Sequence, residues 1–82
     1  MMLGKVVSRV WADRQISGLN GRRLVLVAGI GSDRREVAVD LVDAAPGVTV
    51  LVATDEAAAA AANDPIVDAA VVALVDDREP TR

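Results

Sequence analysis

Both ends of this chain have the pattern of β-strands, and this constrains the fold more than any other feature. Residues 3–7 read L-G-K-V-V, and residues 65–76 read P-I-V-D-A-A-V-V-A-L-V-D. Both segments are apolar and rich in β-branched residues, which favour strands. With 82 residues, the chain is expected to form one domain, residues 1–82. A domain this short with a strand at each end is expected to close a sheet on itself as a small barrel.

Between the two ends, the pattern predicts three further strands and one helix. The five predicted strands are residues 3–12, 22–28, 36–42, 48–53 and 69–75. The helix is predicted to begin after Thr54, whose hydroxyl is expected to cap it, and to end at Asn63 and Pro65,. Residues 78–82 are expected to be frayed. The sequence therefore predicts a mainly β fold, a five-stranded antiparallel barrel with one short helix between strands four and five.

Composition excludes several classes of function. The chain has no cysteine, so it has neither a disulfide framework nor a thiolate metal site,. The net charge is −3 and the isoelectric point about 4.7, and the cations are scattered, so nucleic acid is not an expected partner. No apolar run approaches the roughly 20 residues that span a bilayer. Lys5, Ser8 and Arg9 interrupt the apolar core that a signal peptide needs,, so a soluble, cytoplasmic protein without a membrane partner is expected.

Residues capable of chemistry are present but do not form a recognisable catalytic set. The segment G-I-G-S at 29–32 lacks the third glycine and the following helix of a dinucleotide-binding turn, so a hairpin tip is expected there,. The hydroxyl side chains have no histidine to act as a base, since the chain contains none,. Aspartates lie mostly at strand ends and turns, where capping or solvated roles are common; they are Asp40, Asp43, Asp64, Asp68, Asp76 and Asp77,.

Two of these aspartates differ from the rest because they interrupt an apolar strand or the approach to one. Asp40 lies within the third predicted strand, and Asp68 directly precedes the fifth. Burying an unpaired carboxylate is costly, so each is expected to have a hydrogen-bond partner or a cation at an interface. A small carboxylate-dependent enzyme that uses this pair is one hypothesis to test.

The assembled pattern resembles the bacterial microcompartment vertex family, the pentameric shell proteins of the EutN/CcmL type. The resemblance is carried by five segments that occur in order along the chain. They are L-G-K-V-V at 3–7, L-N-G-R-R-L-V-L-V at 19–27, V-A-V-D at 37–40, G-V-T-V-L-V at 47–52 and the closing segment at 65–76.

This resemblance implies a fold and a role. The fold would be a small barrel similar to the oligonucleotide-binding fold, and five copies would form a ring. Such homopentamers close the vertices of a polyhedral shell within the cytoplasm, which a flat sheet of hexamers cannot close alone. The implied partners are copies of this chain, hexameric shell proteins and encapsulated enzymes. The role needs no catalytic residue and no cofactor.

The chain departs from the family pattern at two places. The glycine-alanine-glycine turn that usually follows the third strand is replaced by D-A-A-P-G at 43–47, and the serine-serine-alanine-arginine stretch after the fourth strand by T-D-E-A-A-A at 54–59. A five-fold ring brings one loop of each subunit to the axis. We expect the turn after the third strand to lie at this axis; its residues are Asp43, Ala44, Ala45, Pro46 and Gly47. Five copies of Asp43 at the axis would form an electronegative ring that repels anions.

Five residues are candidate contacts between subunits, and among them Val71 belongs to a closing strand expected to serve both the barrel and the neighbouring subunit. They are Lys5, Trp11, Asp40, Asp68 and Val71. Lys5 is expected to form a surface or interface ion pair, and Trp11 to fill the core or an interface. The alternative function is a binding module of the oligonucleotide-binding type for nucleic acid or another ligand. Such modules stack bases on several aromatic side chains, whereas Trp11 is the one aromatic residue of this chain,.

Overall fold

The computed structural model describes residues 1–76, which form a closed five-stranded barrel with one α-helix. The strands are β1 (Met2–Val10), β2 (Leu24–Gly29), β3 (Arg35–Asp40), β4 (Thr49–Thr54) and β5 (Ala69–Leu74), and the helix is α1 (Asp55–Ala62). A single 3-10 turn lies at Ser17–Leu19. The predicted fraying of residues 78–82 lies outside the described part of the chain.

The barrel confirms the predicted fold class but corrects the prediction that it is wholly antiparallel. The order around the barrel is β1-β2-β3-β5-β4, and β3 pairs with β5 in parallel, with Val39 beside Ala70 and Asp40 beside Val71. The other four pairs are antiparallel. Strand directions cannot alternate around a closed ring with an odd number of strands, so one parallel pair is unavoidable.

Alternation of side chains along the strands produces two apolar layers. The inward layer fills the barrel with small β-branched residues, of which Val25, Val27, Val50, Val52 and Val71 are fully buried. The outward layer lies beneath α1, where Ala58 and Ala62 of the helix pack on Val39, Ala53 and Ala70. The helix presents only alanine to the sheet, so it can lie close to the strands.

At Gly4, β1 and β2 approach each other too closely for a side chain to fit between them. A Cβ atom at this position would lie 2.6 Å from Val27 Cγ1 and 2.7 Å from the carbonyl oxygen of Ala28. These separations are shorter than van der Waals contact, so β1 and β2 pair this closely because position 4 has no side chain.

The start of α1 differs from the prediction in its capping. Thr54 is the N-cap residue, but its hydroxyl makes no capping bond; it lies 3.5 Å from the amino group of Met1. The N–H of Asp55, which an N-cap side chain does not reach, donates to the carbonyl of Asp68 at 2.8 Å,. The predicted stop is confirmed, since Asn63 adopts the left-handed conformation with φ 53° and donates its N–H to Ala59 and Ala60,.

Several predicted strand limits are corrected. Arg22 and Arg23 precede β2, β3 ends at Asp40, and Trp11 lies beyond the end of β1. The 29–32 segment is a hairpin tip between β2 and β3, as predicted. Within residues 1–76, no helix is long and apolar enough to cross a membrane.

Candidate functional site

The turn after β3, residues 43–47, is the predicted axis loop, and a buried carboxylate shapes it. The side chain of Asp40 is fully buried. Its Oδ1 accepts the N–H of Val42 at 3.1 Å, and its Oδ2 accepts the N–H of Ala44 at 2.8 Å. These bonds satisfy backbone donors that the end of β3 leaves without a strand partner. The expected hydrogen-bond partners of Asp40 are therefore found within its own subunit.

Arg23 supplies the positive charge beside this carboxylate. Its Nε lies 3.3 Å from Asp40 Oδ2, and its Nη1 lies 2.8 Å from Asp43 Oδ1. The Arg23 side chain is about one-third exposed, with its Nε buried, whereas the Asp43 side chain is 84% exposed. We call Arg23, Asp40 and Asp43 the turn cluster. One cation thus bridges a buried carboxylate at the base of the turn and an exposed carboxylate on it.

The far end of the turn is attached to β1. The N–H of Gly47 donates to the carbonyl of Val6 at 2.8 Å, and the N–H of Val6 donates to the carbonyl of Val48 at 3.0 Å. Ala44 is 1% exposed and belongs to the barrel core. Gly47 has φ 86° and Asp43 has φ 58°, so the turn reverses at two left-handed positions,. The turn is therefore held at both ends, with Asp43, Ala45 and Pro46 exposed.

The other predicted contact residues occupy different places. Val71 is fully buried in the barrel core, so it packs within the subunit. Asp40 is buried as well, and neither residue is part of the interface proposed below. Lys5 and Asp68 are exposed. Trp11 is 76% exposed, which corrects its predicted alternative as a core residue, and the guanidinium of Arg9 lies 4.0 Å from its ring centroid.

Sequence reasoning did not identify an apolar depression on the outside of the barrel, which we call the outer groove. It has a volume of about 190 Å³. Its walls come from the 3-10 turn, from β2 and β3, and from the segment before β5: they include Leu19, Leu24, Val37, Ile66 and Asp68. Among the residues described, Asp68 is the one charged residue lining it. The groove could not be read from the sequence because three distant segments form it.

The carboxylate of Asp40 is committed to the backbone of the turn. Asp40, the first of the two aspartates considered for catalysis, has both carboxylate oxygens occupied by backbone donors. Within residues 1–76, no group of three or more histidine, cysteine, aspartate or glutamate side chains is placed to hold a metal ion. The two features that stand out in the structure are the hydrogen-bonded turn at 43–47 and the outer groove.

Comparison with known proteins identifies the family. The family described as "Ethanolamine utilisation protein EutN/carboxysome" matches residues 1–76. The chain belongs to the EutN/CcmL family. The resemblance inferred from the five sequence segments is therefore confirmed.

Solved structures of this family have the same fold. GrpN, a pentameric microcompartment shell protein from Rhodospirillum rubrum, is 32% identical over 99% of this chain and 100% of its own, with a TM-score of 0.86. CcmL of Nostoc sp. PCC 7120 is 31% identical over 93% and 89%, with a TM-score of 0.87. EutN from Escherichia coli is 26% identical over 98% and 90%, with a TM-score of 0.83. No curated protein sequence matches the chain significantly.

Proposed function

We propose that this chain forms a closed homopentamer that occupies the vertices of a bacterial microcompartment shell in the cytoplasm. The observation that carries the proposal is the similarity to GrpN, a pentameric shell protein, over the whole length of both chains. The chain itself acts as a geometric component and catalyses no reaction. Its five-fold ring supplies the curvature that a sheet of six-fold units lacks.

The axis position is assigned to the turn at 43–47, which has the properties such a position needs. It is short, exposed at Asp43, Ala45 and Pro46, and held by hydrogen bonds at both ends. Five copies of a mobile loop would block an axial opening irregularly, whereas five copies of a held turn leave an opening of defined shape. The turn cluster supports this role because it keeps the turn in one conformation.

The charge at this axis remains that of one carboxylate per subunit. Each Asp43 carboxylate contacts the Nη1 of Arg23 at 2.8 Å. Because the same guanidinium also faces the buried Asp40 carboxylate, each turn cluster keeps a formal net charge of −1. We therefore expect five copies to make the opening electronegative, so that it repels anions.

The proposed partners are further copies of this chain, hexameric shell proteins around the ring, and enzymes enclosed by the shell. The alternative function as an oligonucleotide-binding module is weakened by the acidic isoelectric point of about 4.7 and by the single aromatic residue,. Its test is a titration of single-stranded DNA at low salt, where no change in DNA mobility is expected.

The mass of the assembly in solution tests the proposal directly. Light scattering during gel filtration should give about five times the chain mass of 8.5 kDa,. Co-expression with hexameric shell proteins should then yield closed shells with the chain present and open or tubular assemblies without it. A monomer at all accessible concentrations, or shells that close equally well without the chain, would contradict the proposal.

A further inference from the structure

We propose that the outer groove of one copy receives the outer face of β1 and β4 of the next copy, and that Lys5 there meets Asp68 at the edge of the groove. This inference rests on the proposed ring and names the two surfaces that join its subunits. A closed ring needs two different complementary surfaces on each subunit, because each copy contacts one neighbour with one surface and the other neighbour with the second.

The barrel provides a second apolar surface away from the groove. Leu3 of β1 pairs with Leu51 of β4, and Leu51 pairs with Ala73 of β5, so these three side chains form one row across the strands. Leu3 is 44% exposed. Lys5 lies two residues after Leu3 on the same face of β1. We call the two leucines, Leu3 and Leu51, together with this flanking cation, Lys5, the apolar ridge.

The ridge and the groove lie on opposite sides of the subunit. The strand order β1-β2-β3-β5-β4 places β3 across the barrel from the junction of β1 and β4. Val37 and Val39 of β3 line the groove, and the ridge lies at that junction. A single copy therefore cannot fill its own groove with its own ridge, but a second copy can.

The charges on the two surfaces are opposite and unpaired within the described chain. Lys5 and Asp68 are exposed, and within residues 1–76 neither side chain makes an ion pair or a side-chain hydrogen bond. Among the arginines of residues 1–76, Arg22, Arg23 and Arg34 contact carboxylates in their own subunit, whereas the other three form no ion pair but lie outside the ridge. The ridge thus carries an available cation, and the groove carries the available carboxylate that would select its orientation.

The apolar part of the contact favours another copy over a charged partner. Val37 is 48% exposed and Ile66 is 43% exposed at the groove, and an apolar surface covers them without burying unpaired polar groups of the partner,. The ridge offers leucine side chains of matching character. A nucleic acid or a highly charged peptide offers no such surface.

Charge reversal tests the pairing. Lys5→Glu and Asp68→Lys should each raise the concentration at which half of the pentamer has dissociated by about tenfold or more, because the altered contact repeats in every interface of the ring. The double variant Lys5→Glu with Asp68→Lys restores opposite charges and should return this concentration to within about threefold of the parent value. Sedimentation velocity over a concentration series measures it.

The matched controls lie in the exposed segment between β1 and β2. Arg14→Glu makes the same charge change as Lys5→Glu, and Asp13→Lys makes the same change as Asp68→Lys. Both should leave the dissociation unchanged. If the parent protein is monomeric throughout, the proposed ring itself is wrong. If the parent is a pentamer and neither reversal shifts its dissociation, or the double variant is no better than the single ones, the ring remains and the pairing is wrong.

Chemical cross-linking gives an answer even if a charge reversal prevents folding. The chain contains no cysteine, so Lys5→Cys with Asp68→Cys introduces the only two thiols. A short bis-maleimide reagent should link copies into a ladder that ends at five subunits on a denaturing gel. Either cysteine alone should give no such ladder. A double-cysteine pentamer that yields only unlinked subunits would overturn the inference.

Discussion

The connection from β1 to β2 and the connection from β3 to β4 contrast in how they are held. Residues 11–21 contain no buried residue, and their hydrogen bonds are local, as between Leu19 and Ile16. Residues 41–48 contain the buried Ala44 and are bonded to Asp40 at one end and to β1 at the other. The buried carboxylate of Asp40 therefore makes the second connection part of the barrel, whereas the first is attached to distant residues at its end, through Arg22 and Arg23.

Removing the carboxylate of Asp40 should destabilise the connection from β3 to β4 more than any other change. Asp40→Asn places an amide where two backbone N–H groups and Arg23 require an acceptor, so at least one donor is left buried without a partner. We expect the free energy of unfolding to fall by about 2–3 kcal/mol. Urea denaturation at one fixed protein concentration measures the change, since assembly contributes to stability.

The matched control for this change is Asp13→Asn, on the other connection. Asp13 is exposed, so the same chemical substitution should alter the free energy of unfolding by less than about 0.5 kcal/mol,. Equal effects at both positions would show that the turn cluster does not stabilise the turn.

Removing the cation should have the next largest effect. Arg23→Gln leaves the hydrogen bonds of Asp40 in place but takes away the charge that faces both Asp40 and Asp43. A loss of about 1–2 kcal/mol is expected, because the Asp40 carboxylate is then buried without a counter-charge. Arg14→Gln in the exposed connection is the control, and a loss there as large as at Arg23 would contradict this account.

One glycine in each connection allows the same substitution to be compared between the two segments. Gly47 and Gly21 have similar backbone conformations, with φ 86° and φ 75°, and open space around the position of a Cβ atom. Gly47→Ala should cost about 1 kcal/mol because its N–H is bonded to Val6 and the strained conformation cannot relax,. Gly21→Ala should cost less, since the surrounding segment is free to adjust. Thermal unfolding of both variants measures the two losses of stability. A larger loss for Gly21→Ala than for Gly47→Ala would show that the first connection is the more firmly held.

Trp11 should give the smallest effect on the stability of the subunit. Its side chain is 76% exposed and its described contact is with Arg9. Trp11→Ala should change the free energy of unfolding of the dissociated subunit by about 0.5 kcal/mol or less. Because Trp11 is the one tryptophan, its fluorescence also reports whether assembly covers it. A large loss of stability in the dissociated subunit would show that the exposed connection is held as firmly as the turn.

Much of the fold could be predicted because valine-rich alternation marks the strands and an alanine run between Thr54 and Asn63 marks the helix. The parallel pair was missed, although five strands in a closed barrel require it. Asp40 could be singled out as a carboxylate inside an apolar strand, but its partner could not. Only the pairing of Leu24 with Val39 brings Arg23 beside Asp40, where the N–H of Asp40 donates to the carbonyl of Arg23 at 2.7 Å.

The capping of α1 and the place of Trp11 show a second limit of sequence reasoning. Thr54 has the side chain of a good cap, but its hydroxyl lies 3.5 Å from the amino group of Met1 and makes no capping bond. Trp11 is apolar and large, yet β1 ends at Val10 and leaves its side chain in solvent. In the first case a contact between distant segments decides the outcome, and in the second the point at which β1 ends does.

The all-alanine face of α1 makes the helix a convenient place to modify this protein. Ala58 and Ala62 face the sheet, whereas Ala57, Ala60 and Ala61 are exposed and support no packing. A cysteine at one of these exposed positions would be the only thiol in the chain. Dyes, affinity groups or cargo could then be attached at a single known point on each subunit, leaving the barrel, the turn and the groove untouched.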